Sequence, residues 1–271
     1  MRKIIFISVA GIVLLASVLI AERPRISEDR ELKEVDLSAW DCINRPQGSA
    51  SEPEAEARDR MKNRPPADLA GAPIESMDTA AFLRHVAGFD ARIKGRNRSE
   101  LSAAETKQLE QLEKEIVSLT AYLVLIYAGP PEATNCNNTE FHDWHLEMFA
   151  QALDHPPRAG DPTPIIAEIT PRTQNQLYKS GIRLQSLAGF LRTPDLSYES
   201  TGHAARKVRV TGTLLWDDQH NRPADLGRVI QASPPHEFHH PWRATAWEIH
   251  PVTKIEVIPT FPDGKEPAVP R

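Results

Sequence analysis

FHDWHLEMFAQ, residues 141–151, is the stretch on which the fold turns. Its residues alternate, with Trp144, Leu146 and Met148 on one side and Asp143, His145 and Glu147 on the other, because successive side chains of a strand point to opposite faces. Upstream, across the polar loop EATNCNNTE, residues 116–129 read IVSLTAYLVLIYAG, long, β-branched and aromatic, and run into Gly129-Pro130-Pro131. That is a first strand and its stop signal. Downstream, TPIIAEIT (163–170) reads as a third strand that sets Glu168 against its Ile and Ala residues. TQNQLYKSGIRLQSLAGFL (173–191) then reads as a helix with Leu177, Ile182, Leu184 and Leu187 as its contacts. KVRVTGTLLWDD (207–218) is a fourth strand with Val208, Val210, Leu214 and Trp216 on one face, and RATAWEIHPVTKIEVI (243–258) is a fifth. A long loop from Asp217 to Trp242 joins them. Three strands, a helix and two strands is the element order of the five-stranded Greek-key OB-fold. The expected class is mainly β with flanking helices, a β-β-β-α-β-β barrel over 116–260.

The segments HDWHLE, IIAEITPR, KVRVTGTLLWDD and WEIHPVTKIEV resemble an OB-like domain of uncharacterised bacterial exported proteins, which carry a D-x-H second strand, a V-x-V-T-G fourth strand and a last strand with E-I-H-P-V. The resemblance spans about residues 115–258 and leaves out 22–114. It implies an OB-like barrel and brings no reaction with it. The fourth-to-fifth loop departs from the pattern: it is long and holds His236, Glu237, His239 and His240, so a ligand inferred from shorter-loop relatives does not transfer.

Ahead of the barrel the text changes. Arg2 and Lys3 precede an uncharged, largely apolar run from Ile4 to Ala21, about long enough at 1.5 Å per residue to cross a bilayer core of roughly 30 Å. With positive charge before the run, the expectation is a retained membrane anchor or a signal peptide over 1–21, the body lying outside the cytoplasm, periplasmic in a bacterium. Residues 22–77 are rich in charge and proline and read as an extended tether with one ordered patch, VDLSAWDCIN (35–44). Two helices are expected over 78–115. The first is capped by Asp78 and carries Ala81, Phe82, His85, Val86 and Phe89 at helical spacing; the second opens on the capping box Ser102-Ala103-Ala104-Glu105. Residues 261–271 read as a tail. In an oxidising compartment the only two cysteines, Cys42 and Cys136, are expected to pair.

Composition narrows the function. The chain has 32 Lys and Arg against 37 Asp and Glu, and from residue 116 onward about 14 against 17. That removes the positive groove on which single-strand binders rely, and nucleic acid is disfavoured as a partner. No G-x-S-x-G, H-E-x-x-H, P-loop or G-x-G-x-x-G motif occurs.

Nine of the ten histidines lie at or after His142. In an OB barrel strand two pairs with three, and three with five, which brings Asp143, His145, Glu168, Glu248 and His250 onto one strip. His145, Glu168 and His250 make a two-histidine, one-carboxylate set suited to zinc, iron or manganese, with Asp143 and Glu248 as orienting groups or base. The same strip also reads as an outward polar face whose side chains bond one another. His236, His239 and His240 are a second candidate ligand group, and Asp217, Asp218 and His220 read as a strand end and its turn. Two functions stand: a membrane-tethered, extracytoplasmic, non-enzymatic binding or accessory module for an envelope protein or small polar ligand, and a metal-dependent hydrolase. A binder of oligonucleotides or oligosaccharides is a third and weaker reading.

Overall fold

The computed structural model describes residues 28–39, 53–64, 76–223, 225–227, 229–231, 239–241 and 243–259. In chain order the elements are α1 (Pro53–Lys62), β1 (Ser76–Asp78), α2 (Thr79–Ile93), α3 (Ala103–Leu112), β2 (Ile116–Ala128), β3 (Trp144–Phe149), β4 (Ile165–Ile169), α4 (Pro171–Lys179), β5 (Phe190–Arg192), β6 (Tyr198–Ser200), β7 (Lys207–Trp216), β8 (Val229–Gln231), β9 (His239–Pro241) and β10 (Trp247–Val257). Short 3-10 turns lie at Ala133–Asn135, Leu184–Ser186 and Asp218–His220.

Five strands close on themselves in the order β2-β3-β4-β10-β7 and back to β2. All neighbours are antiparallel except β4 with β10, which run parallel, and α4 sits between the third and fourth strands of the ring. The result is a closed five-stranded barrel compatible with an OB-like fold. Closure depends on the length of β2. Its first half, Ile116–Tyr122, pairs with β7, and from Tyr122 to Ala128 it pairs with β3, with a register shift between Leu123 and Leu125. Past the end of β7, Leu125 and Ile126 take up β5, which pairs with β6 in turn; β1 lies parallel to the start of β2.

The alternation expected of β3 holds. Trp144, Leu146 and Met148 join Ala167 and Ile169, Val210, Leu214 and Trp216, and Trp247, Ile249 and Val252 in one buried cluster. α2 adds Phe82, Val86, Phe89 and Ile93, spaced at helical intervals along one face, and Asp78 Oδ1 caps it by accepting from the Ala81 amide at 2.7 Å. His85 is not in that seam: it is exposed and bonds Glu115 at 2.7 Å. α3 opens on the expected Ser102–Glu105 capping box. Gly212 of β7 pairs with Val252 of β10, and a Cβ there would sit 2.3 Å from the Pro251 carbonyl oxygen.

Three features depart from the expectation. The helix read over 173–191 ends at Lys179, and the rest forms a 3-10 turn and β5. The long loop between the fourth and fifth barrel strands carries a small ribbon, β8 with β9. The charged tether contains α1, a helix with Pro53 at its start and Arg60 and Lys62 in its last turn, an arrangement that suits the helix dipole but has no apolar period to betray it. Within 28–39, order begins before the expected patch: Leu32 is buried in the main cluster, and Val35 exchanges two 2.8 Å hydrogen bonds with the Asn175 side chain of α4.

Residues 1–27 lie outside the described residues, as do Trp40, Cys42, His236, Glu237 and 260–271. Among the described residues no helix is long and apolar enough to cross a membrane, and none of their cysteines is a free thiol.

Candidate functional site

Register assembles the site. His145 stands directly opposite Glu168 across β3 and β4, and Ile249 opposite Ala167 across β4 and β10, so Glu248 and His250 flank Glu168 on the same face. Their neighbours of opposite parity, Trp144, Ala167, Trp247 and Ile249, fill the core, which puts the polar groups on the outer wall of the barrel. The strip faces outward with its side chains paired to one another, yet it is closed off from water. Asp143 and Glu168 are 1% exposed, and Glu248 and His250 are fully buried. α1 supplies buried Arg58, Asp59 and Lys62, and the turn after β7 supplies buried Asp217 and Asp218. Arg58 ties the two together through Asp218 at 3.2 Å, and Asn63 donates to the Thr134 carbonyl of the loop after β2.

Three carboxylates share one pattern. Asp143 Oδ1 accepts from Asn135 Nδ2 at 3.0 Å, Glu168 Oε1 lies 3.2 Å from His145 Nε2, and Glu248 Oε2 accepts from Arg243 Nη1 at 3.1 Å. Their other oxygens, Asp143 Oδ2, Glu168 Oε2 and Glu248 Oε1, have no hydrogen-bond partner. All three face His250. Glu168 Oε2 and Glu248 Oε1 are 2.8 and 3.2 Å from its Nδ1, and Asp143 Oδ2 is 3.7 Å from its Nε2. These are charge contacts, whose angles depart from good hydrogen-bonding geometry. Lys62 Nζ completes the cluster at 3.7 Å from Asp217, 3.8 Å from Glu248 and 3.9 Å from Glu168.

The charges tune one another. Burial opposes a charged His250, but the carboxylates of Glu168 and Glu248 outweigh it and lift the ring to about 10. Burial raises Asp143 to about 6. Glu168 is held well below the usual carboxylate range despite its burial, by His145, Lys62 and His250, and Lys62 and Arg243 lower Asp217 in the same way. Burial works against Lys62 too, yet Asp217, Glu168 and Glu248 carry it well above the usual lysine range.

A cleft of about 350 Å³ leads from solvent to this cluster, lined among others by Arg58, Lys62, Glu132, His145, Glu168 and His220. His145 lies flat on Tyr127, with ring centroids 4.7 Å apart, and the Arg192 guanidinium is 3.5 Å from the same Tyr127 ring. Gly129 makes room for that histidine: a Cβ there would lie 2.7 Å from His145 Cε1.

The structure therefore brings together all five residues of the expected strip, with a change of partners. The atoms that converge within 4.8 Å belong to Asp143, Glu168 and His250, while His145 stands on the far side of Glu168. Lys62 and Arg243 carry no signal in the sequence, the first because its helix has no apolar stripe. Asp217 is no mere strand end. His239 and His240 lie in β9 opposite Gln231 and Ile230; His236 lies outside the described residues. Comparison with protein-family models, with curated proteins and with solved structures finds no match for this chain.

Proposed function

We propose that this chain is a binding or accessory module, held at a membrane by its N-terminal segment with the barrel outside the cytoplasm, whose cleft takes a small polar ligand. The observation that carries the reading is the cleft itself: it reaches inward to His145 and Glu168, and its wall carries the cations Arg58 and Lys62 and the imidazole of His220 beside the carboxylates Glu132 and Asp217. Such a lining suits a ligand with both donors and acceptors, and among the described residues it carries no Phe, Tyr or Trp to serve as the aromatic platform of a single-strand binder. The OB-like exported family suggested by the strand motifs is in keeping with this placement. The bridge from Cys42 to Cys136 belongs to the same proposal, since an extracytoplasmic site permits it.

A panel of amino acids, dicarboxylates and amino sugars tests it by thermal shift on the purified chain. At least one member should raise Tm, and His220→Ala or Arg58→Ala should abolish that rise. A panel without any effect would overturn the reading.

A metal-dependent hydrolase is the second reading, favoured by the convergence of Asp143, Glu168 and His250 beside the cleft. Zinc, iron or manganese would polarise a substrate oxygen or activate water there. Glu168, which both lines the cleft and belongs to the cluster, would hold the ion within reach of substrate.

A further inference from the structure

We infer that Asp143, Glu168 and His250 bind a single divalent transition-metal ion through one imidazole nitrogen and two carboxylate oxygens. The inference deepens the hydrolase reading by naming the ligands.

Four observations converge on it. First, one donor atom from each residue lies within 4.8 Å of the others, and the three come from three different places in the chain, the approach to β3, the middle of β4 and β10. Second, His250 is fully buried yet neither ring nitrogen makes a hydrogen bond. Its ring is held by charge alone, by three carboxylate oxygens at 2.8–3.7 Å, and an ion that displaces the ring proton would take the freed nitrogen lone pair and the same oxygens. Third, the two carboxylates are each fixed at one oxygen, Asp143 by Asn135 and Glu168 by His145, and turn the other inward. Outer groups that orient a ligand in this way are what a metal centre requires. Fourth, charge favours it. Asp143, Glu168 and Glu248 face His250, and Asp217 joins the cluster through Lys62 and Arg243, so four carboxylates stand against two permanent cations. A divalent ion on neutral His250 cancels the remaining two negative charges.

The donor set points to class. One imidazole and two carboxylates suit zinc, iron or manganese better than calcium, which takes oxygen ligands throughout, or copper(I), which takes sulfur. The entry path is the cleft, whose inner wall both Glu168 and Lys62 line. Lys62 is the built-in competitor: its ammonium stands 3.9 Å from the same Glu168 oxygen that the ion would use.

The full-length chain, purified in detergent without a polyhistidine tag and stripped with chelator, is titrated with Zn²⁺ and separately with Co²⁺. One equivalent of each should bind, and Zn²⁺ should raise Tm. Asp143→Asn and His250→Gln should each weaken binding at least tenfold, whereas His85→Gln, an exposed histidine of α2 outside the cluster, should leave it unchanged. The wild-type Co²⁺ form decides the matter even where a variant fails to fold, because its paramagnetically shifted signals count the histidine ligands. One shifted imidazole is expected; two or more would overturn the ligand set, and no saturable binding would overturn the site and the hydrolase reading together. Stoichiometric metal with no hydrolysis of p-nitrophenyl ester or phosphoester sustains the site and removes the hydrolase reading alone.

Discussion

Lys62 shows how much rests on a side chain that periodicity passes over. It sits among Asp217, Glu248 and Glu168 on a helix with no apolar stripe, so nothing in a search for hydrophobic spacing singles it out. Removing a buried partner strands the charges opposite it. Lys62→Met should therefore destabilise the chain by about 3–5 kcal/mol in urea titration; a loss under about 1 kcal/mol would mean that the carboxylates are compensated elsewhere. The five residues of the strip were legible for the contrary reason. Asp143, His145, Glu168, Glu248 and His250 obey strand parity, and barrel closure fixes which strands are neighbours. Their burial was not legible, because it depends on what covers the outer wall. His142 supplies a pH test apart from the cluster. Burial lowers its ring to about 4, below the roughly 6.5 of an unfolded histidine, so the unfolded chain takes up the proton first. Stability from this group is complete above about pH 6.5 and is lost as pH falls toward 4. The urea midpoint should drop across that window, and His142→Asn should flatten the drop.

At the scale of elements, β7 and β10 leave no room for a side chain at Gly212. Gly212→Ala would drive a methyl group into the Pro251 carbonyl, 2.3 Å away, and into the backbone of Val252. Neither neighbour is a flexible side-chain tip, so the strand must shift, and a loss of about 3 kcal/mol is expected from overpacking of this kind. An unchanged Tm would show that the two strands can part without penalty. Gly129→Ala acts differently, since it meets the His145 ring at 2.7 Å. It should disturb the stack on Tyr127, and the His145 ring signals in NMR would report it while the fold is retained. The barrel strands were readable from alternation and stop signals. α1 was not, and β5, β6, β8 and β9 were missed because three-residue strands carry too little pattern to separate from loop.

For the whole molecule, the N-terminal run and the disulfide are the outstanding expectations, and both have direct tests. Membrane association should resist alkaline carbonate and disappear when residues 1–21 are deleted. Mass spectrometry of the nonreduced chain should find Cys42 linked to Cys136; free thiols at both would refute the bridge. The ring of strands has a further consequence in time. β10 pairs with both β4 and β7, and it is the last described strand to be synthesised. Until it emerges, the sheet has an open edge, and the residue that the three carboxylates surround, His250, does not yet exist. Contacts so distant in sequence form slowly. Synthesis and folding are thereby separated: a chain stalled before Trp247 should remain protease-sensitive, because its own connectivity keeps the barrel open until the last strand has left the ribosome.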